Sequence, residues 1–197
     1  FEEGWLDIYP FQSQFIQGDF GYQGPIFDFG RITDQWMLYF LSERLKERRE
    51  HPVFSVAVSV SSHVPFRVVP PYVENWDSLG DGSIYHRLDR RRFENNWLQG
   101  DEYPEGFIAS QEYSLRSTVG FLERMLGEHD LAVVLGDHQP RIPIAEPEAT
   151  YSVPIHVFSR HPDILTTFQI YGFQPGLVPE DQPPHMRMDR LAGIIWE

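Results

Sequence analysis

Two short apolar runs constrain this chain most: VFSVAVSV at 53–60 and LAVVL at 131–135. In the first, Phe54, Val56, Val58 and Val60 alternate with small Ser55, Ala57 and Ser59, as expected of a central strand pressed closely on both faces. It runs directly into SSHVPF, where Pro65 stops the ladder. The second run ends in Gly136-Asp137-His138-Gln139-Pro140, again a strand entering a loop. Between them Leu115, Val119, Leu122 and Leu126 recur at helical spacing and predict an amphipathic helix closed by Gly127. If the two strands lie parallel in one sheet, a right-handed crossover places their C-terminal ends on one rim. The expectation is an α/β fold with a mostly parallel, mixed sheet and helices on both faces, in which His63 and Asp137-His138 face a common crevice.

The flanking segments fit that scheme. Thr33 or Asp34 can cap a helix running to about Arg49, with Trp36, Met37, Phe40, Leu41 and Leu45 as its apolar stripe. VPIHVF at 153–158 predicts a further strand that Pro154 places at an edge or at its own start. A helix over 162–171, ended by Gly172, follows. Residues 67–108 lack periodicity and are dense in Pro, Gly, Asp, Asn and Arg, which predicts a long excursion from the domain.

Composition narrows the chemistry. The 197 residues fit one ordinary domain, and 29 acidic against 16 basic residues give a formal charge of −13. That balance argues against nucleic acid or an anionic membrane as partner, since no basic face dominates. An anionic substrate must be held by a local device such as a metal. The absence of cysteine excludes a disulfide framework and thiolate catalysis. No apolar run approaches the roughly 20 residues that cross a bilayer. A chain opening on Phe1 is expected to be a segment of something longer.

Asp137 and His138 offer a hard oxygen and an imidazole nitrogen to one small volume, a mixture that zinc, manganese and iron accept. Two ligands do not complete a shell, and the same residues also suit a loop Asp capping a turn beside an exposed His. His63, just beyond a strand, can hydrogen-bond a phosphate or sulfate oxygen or act as an acid or base. It can equally be satisfied by backbone carbonyls near Pro65. Arg87, Arg90, Arg91 and Arg92 form a dense basic cluster, suited either to steering an anionic head group or to a solvated face balanced by nearby acids. His156, His161 and His185 could each be a further ligand, although His156, inside a strand, also suits a core or edge position.

The string LAVVLGDHQP at 131–140 resembles the second metal-binding segment of sulfatase-like members of the alkaline phosphatase superfamily. FSVAVSVSSHVPF at 54–66 is similar to the strand and substrate-histidine loop of phosphoglycerol transferases related to lipoteichoic acid synthase. FGRITDQWMLYFL at 29–41 and YSVPIHVFSR at 151–160 extend the likeness in the family's order. The resemblance implies that residues 1–197 form the C-terminal part of a sulfatase-like catalytic domain, an incomplete α/β fold. It also implies that Asp137 and His138 bind a divalent metal, manganese or zinc rather than calcium or magnesium, and that His63 contacts the transferred group. The substrate would be an anionic phospho-ester, or a sulfo-ester in the sulfatase alternative. In that superfamily the nucleophile and other acidic ligands lie N-terminal to these segments. Thr33, Ser117 and Thr118 do not sit in its nucleophile motif, so half of an active site is expected here, completed by a missing N-terminal half. A chain lacking that half is expected to self-associate through exposed sheet edges or apolar faces, or to owe its solubility to covering segments such as residues 67–108. Relatives of the synthase type carry membrane helices before this domain, which implies an extracytoplasmic location in a bacterial membrane protein. The rival of another class is a noncatalytic binding or structural module that kept the fold and lost the chemistry.

Overall fold

The computed structural model describes residues 11–47, 51–93, 103–140, 151–178 and 186–196. It is mixed α/β, with four α-helices and two two-stranded antiparallel sheets among those residues, and it divides into two compact units, Phe1–Phe121 and Leu122–Glu197.

In the first unit, α1 (Asp34–Glu47) opens as the Thr33 hydroxyl accepts the Trp36 N–H at 3.2 Å, the contact expected of an N-cap threonine. Its buried face differs from the expected stripe. Met37, Phe40, Leu41 and Leu45 are half-buried, whereas Trp36 and Leu38 are buried together with Asp34, Gln35 and Ser42. The reason is hydrogen bonding. The Gln35 amide donates to Val73 O at 2.7 Å and accepts the Val73 N–H at 2.9 Å, while the Tyr85 hydroxyl donates to the same amide oxygen at 3.1 Å. A buried polar group satisfied this fully stabilises the helix instead of destabilising it. Around this network Phe27, Ile32, Trp36, Leu38, Val73, Trp76, Leu79 and Tyr85 form the core.

The excursion is more ordered than its composition predicts. It contains short 3₁₀ turns at Trp76–Ser78 and Ser83–His86, and β1 (Val68–Val69) pairs antiparallel with β2 (Arg91–Arg92) in the register Val68↔Arg92, Val69↔Arg91. Helix α2 (Tyr103–Met125) begins well before the expected stripe. Its buried line is Gly106, Ala109, Ser110, Tyr113, Ser114, Ser117, Gly120 and Leu122, whereas Leu115 and Val119 are exposed. Small residues let a helix pack closely enough for the Ser110, Ser117 and Thr118 hydroxyls to be absorbed by its own carbonyls.

Two central expectations are corrected. Residues 53–60 belong to neither sheet among the described residues, and Val53, Phe54, Val56 and Val58 are exposed. Both sheets among the described residues are antiparallel pairs, where a mostly parallel sheet was expected. An apolar alternation states that a segment can pack on two faces; only a neighbouring strand turns it into a ladder.

In the second unit, β3 (Leu131–Leu135) pairs antiparallel with β4 (Ile155–Ser159), with Val133 opposite Val157 and Leu135 opposite Ile155. Pro154 immediately precedes β4, one of the two places open to it. Val133, Ile155 and Val157 pack with Ile164 and Phe168 of α3 (Pro162–Ile170) and with Leu191 and Ile194 of α4 (Leu191–Trp196). Gly172 follows α3 at φ 90°, the left-handed conformation with which a helix end frees its last carbonyls for capping. No helix among the described residues is long and apolar enough to cross a membrane.

Candidate functional site

The end of β3 delivers the Asp-His pair. Gly136 N–H donates to Pro154 O at 3.4 Å, and the Gln139 amide donates to Ser152 O, so the loop is tied on both sides to the chain entering β4. Between these ties Asp137 and His138 are exposed. Asp137 Oδ1 accepts the His138 N–H at 2.9 Å, the local turn contact of an Asp on a loop. Its other oxygen, Oδ2, lies 3.5 Å from His138 Nε2. His138 Nδ1 lies 2.7 Å from Gln139 O. A carbonyl oxygen only accepts, so a hydrogen on Nδ1 satisfies this contact, and Nε2 is the nitrogen on the Asp137 Oδ2 side.

This arrangement fits a metal. Two donors each about 2.0–2.2 Å from one ion in tetrahedral disposition stand roughly 3.4 Å apart. An imidazole that ligates through one nitrogen commonly donates its other N–H to a carbonyl, which fixes the ring and its tautomer. Asp137 and His138 therefore fit as two members of a coordination shell. Among the described residues no group of three His, Cys, Asp or Glu side chains comes together, so the remaining ligands are not supplied there.

His63 lies in the other unit, in a small cleft lined by Phe27, Asp28, Phe29, Gly30, Val60, Ser61, Val68 and Pro70. Its Nδ1 is 2.7 Å from Val64 O, so this ring too presents Nε2 outward. The Phe29 ring stacks on it, with centroids 3.8 Å apart and planes 18° from parallel. The backbone carbonyl suggested by sequence is thus present, yet it satisfies one nitrogen only.

No family model, curated protein or solved structure matches the chain. The functional reading therefore rests on the residues themselves.

Two aspartates build the His63 cleft, Asp28, which the sequence reading passed over, and Asp34, which it offered only as a helix cap. Asp34, at the start of α1, is 1% exposed. Its Oδ1 accepts the N–H groups of Val60 and Ser61 at 2.8 and 2.9 Å, its Oδ2 accepts the Ser114 hydroxyl at 2.6 Å, and its own N–H donates to the Ser61 hydroxyl. Helix α1 thereby holds the approach to His63. On the far side, Asp28 Oδ2 accepts the N–H groups of Arg67 and Val68 at 2.6 and 2.8 Å, gripping the chain after His63. Asp28, Arg31 and Phe66 have φ of 33°, 52° and 58°, a left-handed region that side chains resist. Clustered backbone strain of this kind persists where surrounding contacts over-determine the loop, and it gathers at functional sites. Gly30 is needed at the wall of the cleft, because a Cβ there would come within 2.6 Å of Val60 Cγ2. Of the remaining imidazoles, His156 lies in β4, His161 precedes α3, and His185 lies outside the described residues.

Proposed function

We propose that this chain is the C-terminal part of the catalytic domain of a sulfatase-like, metal-dependent enzyme that cleaves or transfers a phospho-ester group, of the phosphoglycerol-transferase type. The observation that carries the reading is the 3.5 Å separation of Asp137 Oδ2 and His138 Nε2, with His138 Nδ1 engaged by the Gln139 carbonyl. Asp137 and His138 would hold a divalent ion, manganese or zinc. When bound, such an ion lowers the pKa of a nucleophile and stabilises charge on the transferring group. The chain's own contribution is orientation. The Gln139 carbonyl can take the Nδ1 hydrogen of His138, which would leave Nε2 to the ion, and the Gln139 side-chain bond to Ser152 ties that loop to the chain entering β4.

His63 supplies the second function. With Nδ1–H donated to Val64 O, Nε2 takes a proton when neutral and donates one when charged. In the charged form it can hold a nonbridging phosphoryl oxygen or protonate a leaving group. The nucleophile and the other ligands would come from chain N-terminal to these segments, in a domain placed outside the cytoplasmic membrane of a bacterium. Phosphate is preferred to sulfate because the SSHVPF and GDHQP contexts look closest to the phosphoglycerol transferases.

The test is turnover of bis(p-nitrophenyl) phosphate and p-nitrophenyl sulfate by the complete protein with manganese. Metal-dependent phosphodiester cleavage, reduced about 100-fold or more by Asp137→Ala, His138→Ala or His63→Ala, is expected. Activity indifferent to all three substitutions would overturn the reading. Residues 1–197 alone should turn over neither substrate.

A further inference from the structure

The register of the β1–β2 ladder sorts the arginine cluster in a way that sequence does not. Residues opposite one another in an antiparallel pair share a face, and successive residues alternate between faces. Arg91 stands opposite Val69, which is buried against Ala109 and Tyr113. Its guanidinium is exposed, 5.4 Å from the Phe93 ring centroid and 3.8 Å from Glu112 of α2. Arg92 stands opposite Val68, which lines the His63 cleft. Arg90 lies with its guanidinium 5.2 Å from the ring centroid of Phe27, another wall of that cleft. Arg91 therefore projects, exposed, on the Val69 face, whereas Arg92 and Arg90 stand next to Val68 and Phe27, two residues that line the cleft.

Charge around the cleft is unbalanced in a strongly acidic chain. Its carboxylate, Asp28, already accepts two backbone N–H groups and has Arg67 Nε at 3.9 Å. Asp89 is exposed at the entrance to the ladder. Among the described residues, Arg90 and Arg92 are in ion pairs with no carboxylate. A guanidinium held against an aromatic ring keeps its hydrogen-bonding edge available and loses little entropy on engaging an oxyanion.

We propose that Arg90 and Arg92 form an anion subsite at the rim of the His63 cleft, taking a phosphate group of the substrate that does not itself react. The inference rests on the phospho-ester reading, and it specifies the substrate class: an ester carrying a second anionic group near the reacting one. Neither arginine touches the reacting atoms; both act on binding and position. The subsite also answers how a chain of charge −13 retains an anionic substrate, by concentrating positive charge at one edge.

The test titrates glycerol 3-phosphate into residues 1–197 at low salt, following the side-chain Nε–Hε signals of the arginines by NMR. Saturable shifts confined to Arg90 and Arg92, with affinity falling about tenfold in Arg90→Gln/Arg92→Gln and retained in Arg90→Lys/Arg92→Lys, are expected. Arg87→Gln should leave the affinity unchanged. Equal, non-saturating shifts at Arg87 and Arg187 would reduce the effect to general charge attraction and overturn the subsite, as would unchanged affinity in the double glutamine variant. In the complete enzyme the same double variant should raise KM about tenfold for a bis-anionic ester and leave kcat unchanged. Metal-dependent activity with an unmoved KM would sink the subsite and spare the enzyme reading. Saturable phosphate binding in a protein without esterase activity would do the reverse.

Discussion

Removing the Asp34 carboxylate should release the chain that carries His63. The carboxylate is buried and accepts three hydrogen bonds, from Val60 N, Ser61 N and Ser114 Oγ. Hydrogen bonds to a charged group contribute about 1.5–3 kcal/mol each. Val60 and Ser61 are half-buried, so water can replace part of what their N–H groups lose, whereas Ser114 is 6% exposed and has no such recourse. Asp34→Ala should therefore destabilise the first unit by about 4 kcal/mol, a fall in Tm of roughly 15 °C. Asp34→Asn keeps the acceptor facing the two N–H groups and turns an NH₂ toward Ser114 Oγ, which can accept; about 1 kcal/mol is expected. Urea unfolding monitored by tryptophan fluorescence measures both, and the ¹⁵N shifts of His63 report whether its Nδ1–H tautomer survives. Asp34→Ala within about 1 kcal/mol of the parent, or Asp34→Asn as damaging as Asp34→Ala, would refute the reasoning.

Burial raises the Tyr85 hydroxyl to about 12 and pushes Tyr22 and Tyr113 up as well. The unfolded chain then releases these protons first, so their stabilising contribution is complete below pH 10 and is lost as pH rises through about 12; urea midpoints should fall over that interval, and less so in Tyr85→Phe. Gly30→Ala should cost about 1–3 kcal/mol by overpacking against Val60, measured by thermal unfolding. Phe168→Ala removes the aromatic centre of the second unit's core, and a loss of about 3–5 kcal/mol is expected in the unfolding of that unit.

Elements whose signal is local were legible in the sequence. Helix α1 announces itself by Thr33 and a run of helix-forming residues, α3 by Pro162 at its start and Gly172 after its end, and β3 by an apolar run. Pairing was not legible, because β3 gains its ladder from β4, about 20 residues further on, and nothing in LAVVL specifies that partner or its direction. The α2 face was misread for a related reason. Leu115 and Val119 carry the strongest apolar signal, but Ala109, Ser110, Ser114 and Ser117 fit the close approach. At the site, His138 was visible as an imidazole past the end of β3, and His63 as one past an apolar run that forms no strand among the described residues. The roles of Asp28 and Asp34 were not, since each acts on backbone N–H groups 26–40 residues away. The sorting of Arg90 and Arg92 from Arg91 likewise exists only once Val68 and Val69 fix the register.

Metal ligation by Asp137 and His138 is tested most directly by titrating zinc into residues 1–197, with the His138 ¹⁵Nε2 resonance and calorimetric heat recorded together. A displacement of Nε2 with Nδ1 unchanged, at an affinity weaker than about micromolar and lost in both Asp137→Ala and His138→Ala, is the expected result for two ligands of an unfilled shell. Heat that persists in both variants, or an Nε2 resonance that zinc leaves in place, would contradict it.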